Sequence, residues 1–149
     1  MLEQTIEQDL KAALLSGDSL KSETLRGLKA TLLNVKIADG KRESGLSDEE
    51  IFVHLGKQSK QRQESADLYQ QGGDQARADK ELSEKAIIDE YLPEQISEDE
   101  LSKLIDQAII DTGVHEISAM GNVIGQVKQQ AGASADGAII ARMVKEKLK

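Results

Sequence analysis

The 149-residue chain has no cysteine and no tryptophan, one proline, and only three aromatic residues, Phe52, Tyr69 and Tyr91. Without cysteine there can be no disulfide, no thiolate metal site and no cysteine nucleophile. With so few aromatics the core has to be aliphatic, built from Leu, Ile, Val, Ala and Met. A single proline leaves helices largely uninterrupted, because proline is the residue that removes a helix N–H and clashes with the preceding turn. The longest uncharged run, 117–127, has 11 residues, well short of the roughly 20 that a membrane span needs. The opening Met1-Leu2-Glu3-Gln4-Thr5-Ile6-Glu7 is acidic and amphipathic, with neither the basic nor the apolar segment of a leader peptide. A soluble, cytoplasmic protein is expected.

What the chain does contain is good helix formers. Apolar residues make up 38% and charged residues 31%, with Ala, Glu, Lys, Gln and Leu abundant, and this balance predicts an all-α fold. The length suffices for one domain or two small ones. Formal charge is −8, which repels nucleic acid and anionic membrane at long range. The distribution is uneven. Eleven acidic residues stand against Lys85 and Lys103 between Glu81 and Glu116, whereas five basic residues stand against Asp136 and Glu146 between Gly121 and Lys149.

Apolar spacing and punctuation define the helices. Leu2, Ile6, Leu10 and Leu14 predict a first inward stripe that Gly17 ends. Asp18 or Ser19 can cap a second helix carrying Leu25, Leu28, Leu32 and Val35, closed by Asp39-Gly40. Ser47-Asp48-Glu49-Glu50 reads as a capping box. The helix it opens, with Ile51, Phe52 and Leu55, then turns very polar through Lys57–Glu64 and keeps only a thin seam at Ala66 and Tyr69. Gln71-Gly72-Gly73 breaks it. Asp74 caps a fourth helix bearing Ala78, Leu82, Ala86 and Ile87 and running through Tyr91 to Pro93.

Proline disfavours a helical residue before it, so the fourth helix should stop there. Pro93 is therefore the expected joint between an N-terminal helical region, 1–92, and a C-terminal three-helix domain, 93–149, with Tyr91 and Leu92 packing between them. Ser97-Glu98-Asp99-Glu100 reads as a second capping box, opening a helix with Leu101, Leu104, Ile105, Ala108 and Ile109 inward. Ser118 is the expected cap of the next helix, which carries Met120, Val123, Ile124 and Val127. Asp136 caps the last one, with Ile139, Ile140, Met143, Val144 and Leu148 inward.

The usual chemical signatures are missing. No paired Glu-x-x-His motif of a carboxylate-bridged metal centre occurs, and His54 and His115 read as solvent-exposed histidines. The twelve serines fall mostly at caps, with no Gly-x-Ser-x-Gly elbow and no phosphate-cradling glycine loop. Most of the carboxylates around Pro93 sit at capping positions and in helix first turns, where they complement the helix dipole. No catalytic residue, metal or cofactor is assigned.

Two features admit a binding reading beside a structural one. Gly121 and Gly125, one turn apart, cost helix stability. They are explained either by close packing of a neighbouring helix or by a ligand backbone resting on that face. Lys128, Arg142, Lys145, Lys147 and Lys149 are candidates to contact phosphate, while complementing the negative end of the last helix is a sufficient structural reason for Lys145, Lys147 and Lys149. No aromatic stands near them to stack on a base, so recognition of a folded RNA by shape is the form left open.

Thr24-Leu25-Arg26-x-Leu28-Lys29, Glu90-Tyr91-Leu92-Pro93-Glu94-Gln95, Met120-Gly121-x-Val123-Ile124-Gly125, Ala135-Asp136-Gly137 and Val144-Lys145-x-Lys147-Leu148 occur in this order along the whole chain. Together they resemble the YqeY (GatB/YqeY) family. The resemblance implies an all-helical, two-part fold whose C-terminal domain is similar to the tail of the B subunit of glutamine-dependent aspartyl/glutamyl-tRNA amidotransferase. That tail helps hold tRNA while the chemistry lies elsewhere, so the family carries the label of a carbon–nitrogen ligase with glutamine as amido-N donor. The expectation is a non-catalytic accessory module that binds tRNA or an aminoacyl-tRNA/amidotransferase complex through Lys128, Arg142, Lys145, Lys147 and Lys149, with Gly121 and Gly125 permitting close approach. The alternative is a protein–protein adaptor using the acidic surface. Neither DNA nor a membrane is an expected partner.

Overall fold

A computed structural model describes residues 1–148. Among these there are seven α-helices and no strand: α1 (Leu2–Ser16), α2 (Ser19–Ala38), α3 (Asp48–Gln71), α4 (Gln75–Asp89), α5 (Glu98–Thr112), α6 (Met120–Ala131) and α7 (Gly137–Lys147). The fold is all-α. The chain divides into two compact units, Met1–Leu92 and Pro93–Lys149. No described helix is long and apolar enough to cross a membrane.

The N-terminal unit is built on an aliphatic cluster of Ile6, Leu10, Leu25, Leu28, Leu32, Leu46, Ile51, Leu55 and Ile88. Each such side chain taken out of water contributes about 1.5–3 kcal/mol before its ordering cost. Leu14 does not join them; it is 49% exposed, and Ala13 is buried in its place. A four-residue step overshoots one helical turn by about 40°, so three steps carry Leu14 about 120° round from Leu2, whereas Ala13 falls back onto the stripe. Gly17 closes α1 with φ +75°, and Asp18, rather than Ser19, caps α2 by accepting the Lys21 N–H. The Ser47 capping box is complete: Ser47 Oγ accepts the Glu50 N–H and Glu50 accepts the Ser47 N–H.

Beyond Leu55, α3 meets α4 along a seam that is mostly polar. Ser59 Oγ donates to Asp89, Lys85 Nζ donates to Asp89 at 2.6 Å, and Arg62 bridges Glu81 at 3.1 Å and Glu84 at 2.5 Å. Its buried apolar residues are Ala66 and Ala78, while Leu82, an expected inward position, is 39% exposed. The α-helix stops at Asp89, before Tyr91, and the chain turns through Leu92 to Pro93. Tyr91 and Leu92 pack against the N-terminal cluster, and Tyr91 Oη donates to Asp9 Oδ2 at 2.6 Å.

The C-terminal unit packs α5, α6 and α7 around Leu101, Ile105, Ala108, Val123, Val127, Ile140, Met143, Val144 and Leu148. Ile139, expected inward, is 37% exposed. Ser97 caps α5 by accepting the Glu100 N–H, but Glu100 does not reach back, so the second box is only half formed. Ser118 caps nothing. It lies in a 3₁₀ turn, Ile117–Ala119, which leads into α6, and its hydroxyl donates to Glu116 at 3.3 Å. Gly113 closes α5 with φ +65°, and Asp136 caps α7 by accepting the Ala138 N–H at 2.7 Å. Before α5, the Ile96 N–H donates to the Ser134 carbonyl at 2.9 Å and Gln95 Nε2 to the Ala133 carbonyl at 3.0 Å.

Candidate functional site

The sequence-derived binding candidates that the structure describes, Gly121, Gly125, Lys128, Arg142, Lys145 and Lys147, lie on α6 and α7. Helix α6 turns Val123 and Val127 into the core, which fixes what its other side presents. Gly121 and Gly125 are exposed, and a Cβ built on either would meet nothing within 4 Å. No neighbouring helix presses on this face, so close packing does not account for the two glycines within this unit. Lys128 continues their stripe at a spacing of four and then three, and it too is exposed. The resulting surface has bare backbone at one end and a cation at the other.

The Lys128 chain lies across the start of α7. A Cβ on Gly137 would stand 3.0 Å from Lys128 Cε and 3.1 Å from Nζ. Both atoms are the far end of a flexible side chain that could move aside, so the contact places Lys128 against the start of α7 without requiring glycine there. The ammonium is thereby held near the positive end of a helix, where it gains nothing from the dipole.

The cations of α7 are not equivalent. Arg142 pairs with Glu98 at 2.6 Å and with Glu146 at 3.4 Å, and Lys147 pairs with Asp106 at 2.6 Å. Both therefore tie α7 to the acidic face of α5, which is a structural use of their charge. Their side chains remain 51% and 28% exposed, so these pairs contribute only modestly to stability. Lys145 is exposed, and neither it nor Lys128 makes an ion pair within the described residues. Lys149 lies outside the described residues. Of the five cations proposed from sequence, Lys128 and Lys145 are the two whose charge is uncommitted among the described residues.

The partners Glu98 and Asp106 lie 44 and 41 residues before the cations that they hold. No local pattern announces such pairs. The acidic count between Glu81 and Glu116 was the available signal, since those carboxylates needed counterions.

Elsewhere, Tyr91, Glu50 and Glu7 are engaged in structural contacts. Among the described residues no three His, Cys, Asp or Glu side chains converge as metal ligands. His115 is exposed and His54 is half-buried, against the expectation of two open histidines. Tyr91 is held protonated beyond the usual phenol range, first by burial and then by its bond to the Asp9 carboxylate. Glu50 is held below the ordinary carboxylate range by the Lys41 ammonium and the Ser47 N–H, and Glu7 by Lys29. Of these contacts Glu7–Lys29 joins α1 to α2, Tyr91–Asp9 joins the turn after α4 to α1, and those of Glu50 fix the start of α3 and the loop before it.

The chain is all-helical and in two compact units, and the second carries the exposed Gly121 and Gly125 together with Lys128 and Lys145, which make no ion pair among the described residues. The family model described as Yqey-like protein matches residues 3–148, nearly the whole chain, and the protein belongs to that family. No curated protein matches the chain.

Proposed function

We propose that this protein is a non-catalytic accessory module of the tRNA-charging machinery, binding tRNA or a tRNA-bound amidotransferase complex through α6 and α7. The observation that carries this reading is the open stripe Gly121, Gly125 and Lys128. A sugar–phosphate backbone can lie against exposed glycines without meeting side chains, and an ammonium at the end of the stripe attracts phosphate. Lys145 supplies a second cation. The absence of stacking aromatics in this unit fits contact with a folded RNA through its backbone rather than its bases.

The test is a gel shift with unfractionated tRNA across a salt series. Replacing Lys128 and Lys145 by glutamate should abolish the shift at low salt, and replacing either one by alanine should reduce the slope of log K against log salt by roughly 0.7–0.9. A double mutant that binds as tightly as the parent would refute the assignment.

A second reading is favoured by a separate observation. Because Arg142 and Lys147 are spent on Glu98 and Asp106, the surface keeps little positive charge while the protein as a whole is at −8. A protein-interaction adaptor has no need of phosphate contacts. Affinity capture with and without RNase separates the two readings, since partners held through RNA are lost on digestion and direct protein partners are retained.

A further inference from the structure

The α3–α4 hairpin changes character along its length. Near its root, Ile51, Leu55 and Ile88 belong to the aliphatic core of the N-terminal unit. Between Lys60 and Glu84 no residue belongs to that core, and the buried apolar side chains are those of Ala66 and Ala78 alone. The larger aliphatics of this stretch, Leu68 and Leu82, are 67% and 39% exposed. An isolated helix of such length is marginal in water, so each helix of the hairpin depends on the other for its order.

We infer that residues 60–84 form a clasped arm that opens as a unit while the aliphatic core of the N-terminal unit stays closed, with Arg62 as the clasp. Arg62 is one guanidinium shared by Glu81 and Glu84, whose side chains are 18% and 12% exposed. Without it, two largely desolvated carboxylates would face α3 without that counterion. Arg77 over the Tyr69 ring, 5.8 Å from its centroid, is a weaker closure nearer the tip. At the root, Ser59 and Lys85 converge on Asp89 beside Leu55 and Ile88, which sets the point where opening stops. Cooperative segments of low apolar content are those that open first in native proteins. This inference stands independently of the nucleic-acid reading, which concerns the other unit.

Amide hydrogen exchange on the full chain tests it. In the parent protein, amides of 60–84 should exchange about tenfold or more faster than those of 6–32, relative to their intrinsic rates. Arg62→Met should speed exchange of 60–84 by a further factor of about ten and leave 6–32 unchanged. Raising salt to about 1 M should act on the parent in the same direction and on the same segment, though less than Arg62→Met, because a partly buried pair is screened less than an exposed one. Equal protection of 60–84 and 6–32 in the parent would overturn the inference. So would an Arg62→Met variant that speeds both segments alike or neither. Should that variant fail to fold, the protection pattern and salt response of the parent still decide the matter.

Discussion

Tyr91→Phe removes one oxygen and leaves the ring in place. The hydroxyl donates to Asp9 Oδ2 at 2.6 Å across 82 residues of sequence, joining the chain after α4 to α1. A hydrogen bond to a charged acceptor contributes about 1.5–3 kcal/mol, and partial exposure of this pair brings the expectation down to about 1 kcal/mol. For a unit of this size that lowers the midpoint of thermal unfolding by about 4–8 °C. The pH dependence is more diagnostic. The folded phenol keeps its proton beyond the usual range, whereas an unfolded tyrosine ionises near about 10. The bond's contribution is therefore fully present below pH ~10 and lost as pH rises above it, because unfolding then releases a proton. Calorimetry of the parent and Tyr91→Phe should show a constant gap at neutral pH that shrinks above about pH 10. Lysine titration affects both proteins and cancels in the difference. A gap that persists unchanged to pH 11, or no gap at pH 7, would refute the reasoning.

Two further outcomes follow from the helix surfaces. Gly121→Ala and Gly125→Ala should each stabilise the C-terminal unit by about 0.5–1 kcal/mol in chemical denaturation, since the added methyl meets nothing and alanine favours the helix; a loss of stability would show that the face is packed after all. Ser47→Ala should cost about 1 kcal/mol or more and Ser97→Ala less, because only the first capping box is reciprocal; equal costs in urea unfolding would contradict that distinction.

Helix positions were readable because their signals are local. Gly17, Asp18, Ser47, Asp74, Gly113 and Asp136 all stand at the ends that their chemistry predicts. Where structure and sequence pattern part, the cause is physical. A repeat of four drifts away from the core by Leu14, and the 3₁₀ turn before α6 makes a cap at Ser118 unnecessary. Glu100 has the residue type to complete a box but not the geometry. Site residues were harder, because their state depends on partners far away in sequence. Apart from Glu146, four residues after Arg142, nothing local distinguishes Arg142 and Lys147, held by Glu98 and Asp106, from Lys128 and Lys145, which make no such pair among the described residues. Likewise the sequence shows that Gly121 and Gly125 share a face, but only the fold shows that the face is open.

The bonds from Gln95 and Ile96 to the turn at Ala133 and Ser134 bear on how the molecule can be dissected. The segment after Pro93 is part of the C-terminal unit rather than a tether leading to it. A fragment that starts at Ser97, where α5 is capped, would discard both bonds and leave the 132–134 turn with two free carbonyls. One that starts at Pro93 keeps them. The shortest self-sufficient piece of this half is therefore longer than its helices, and proteolytic trimming should halt ahead of Gln95.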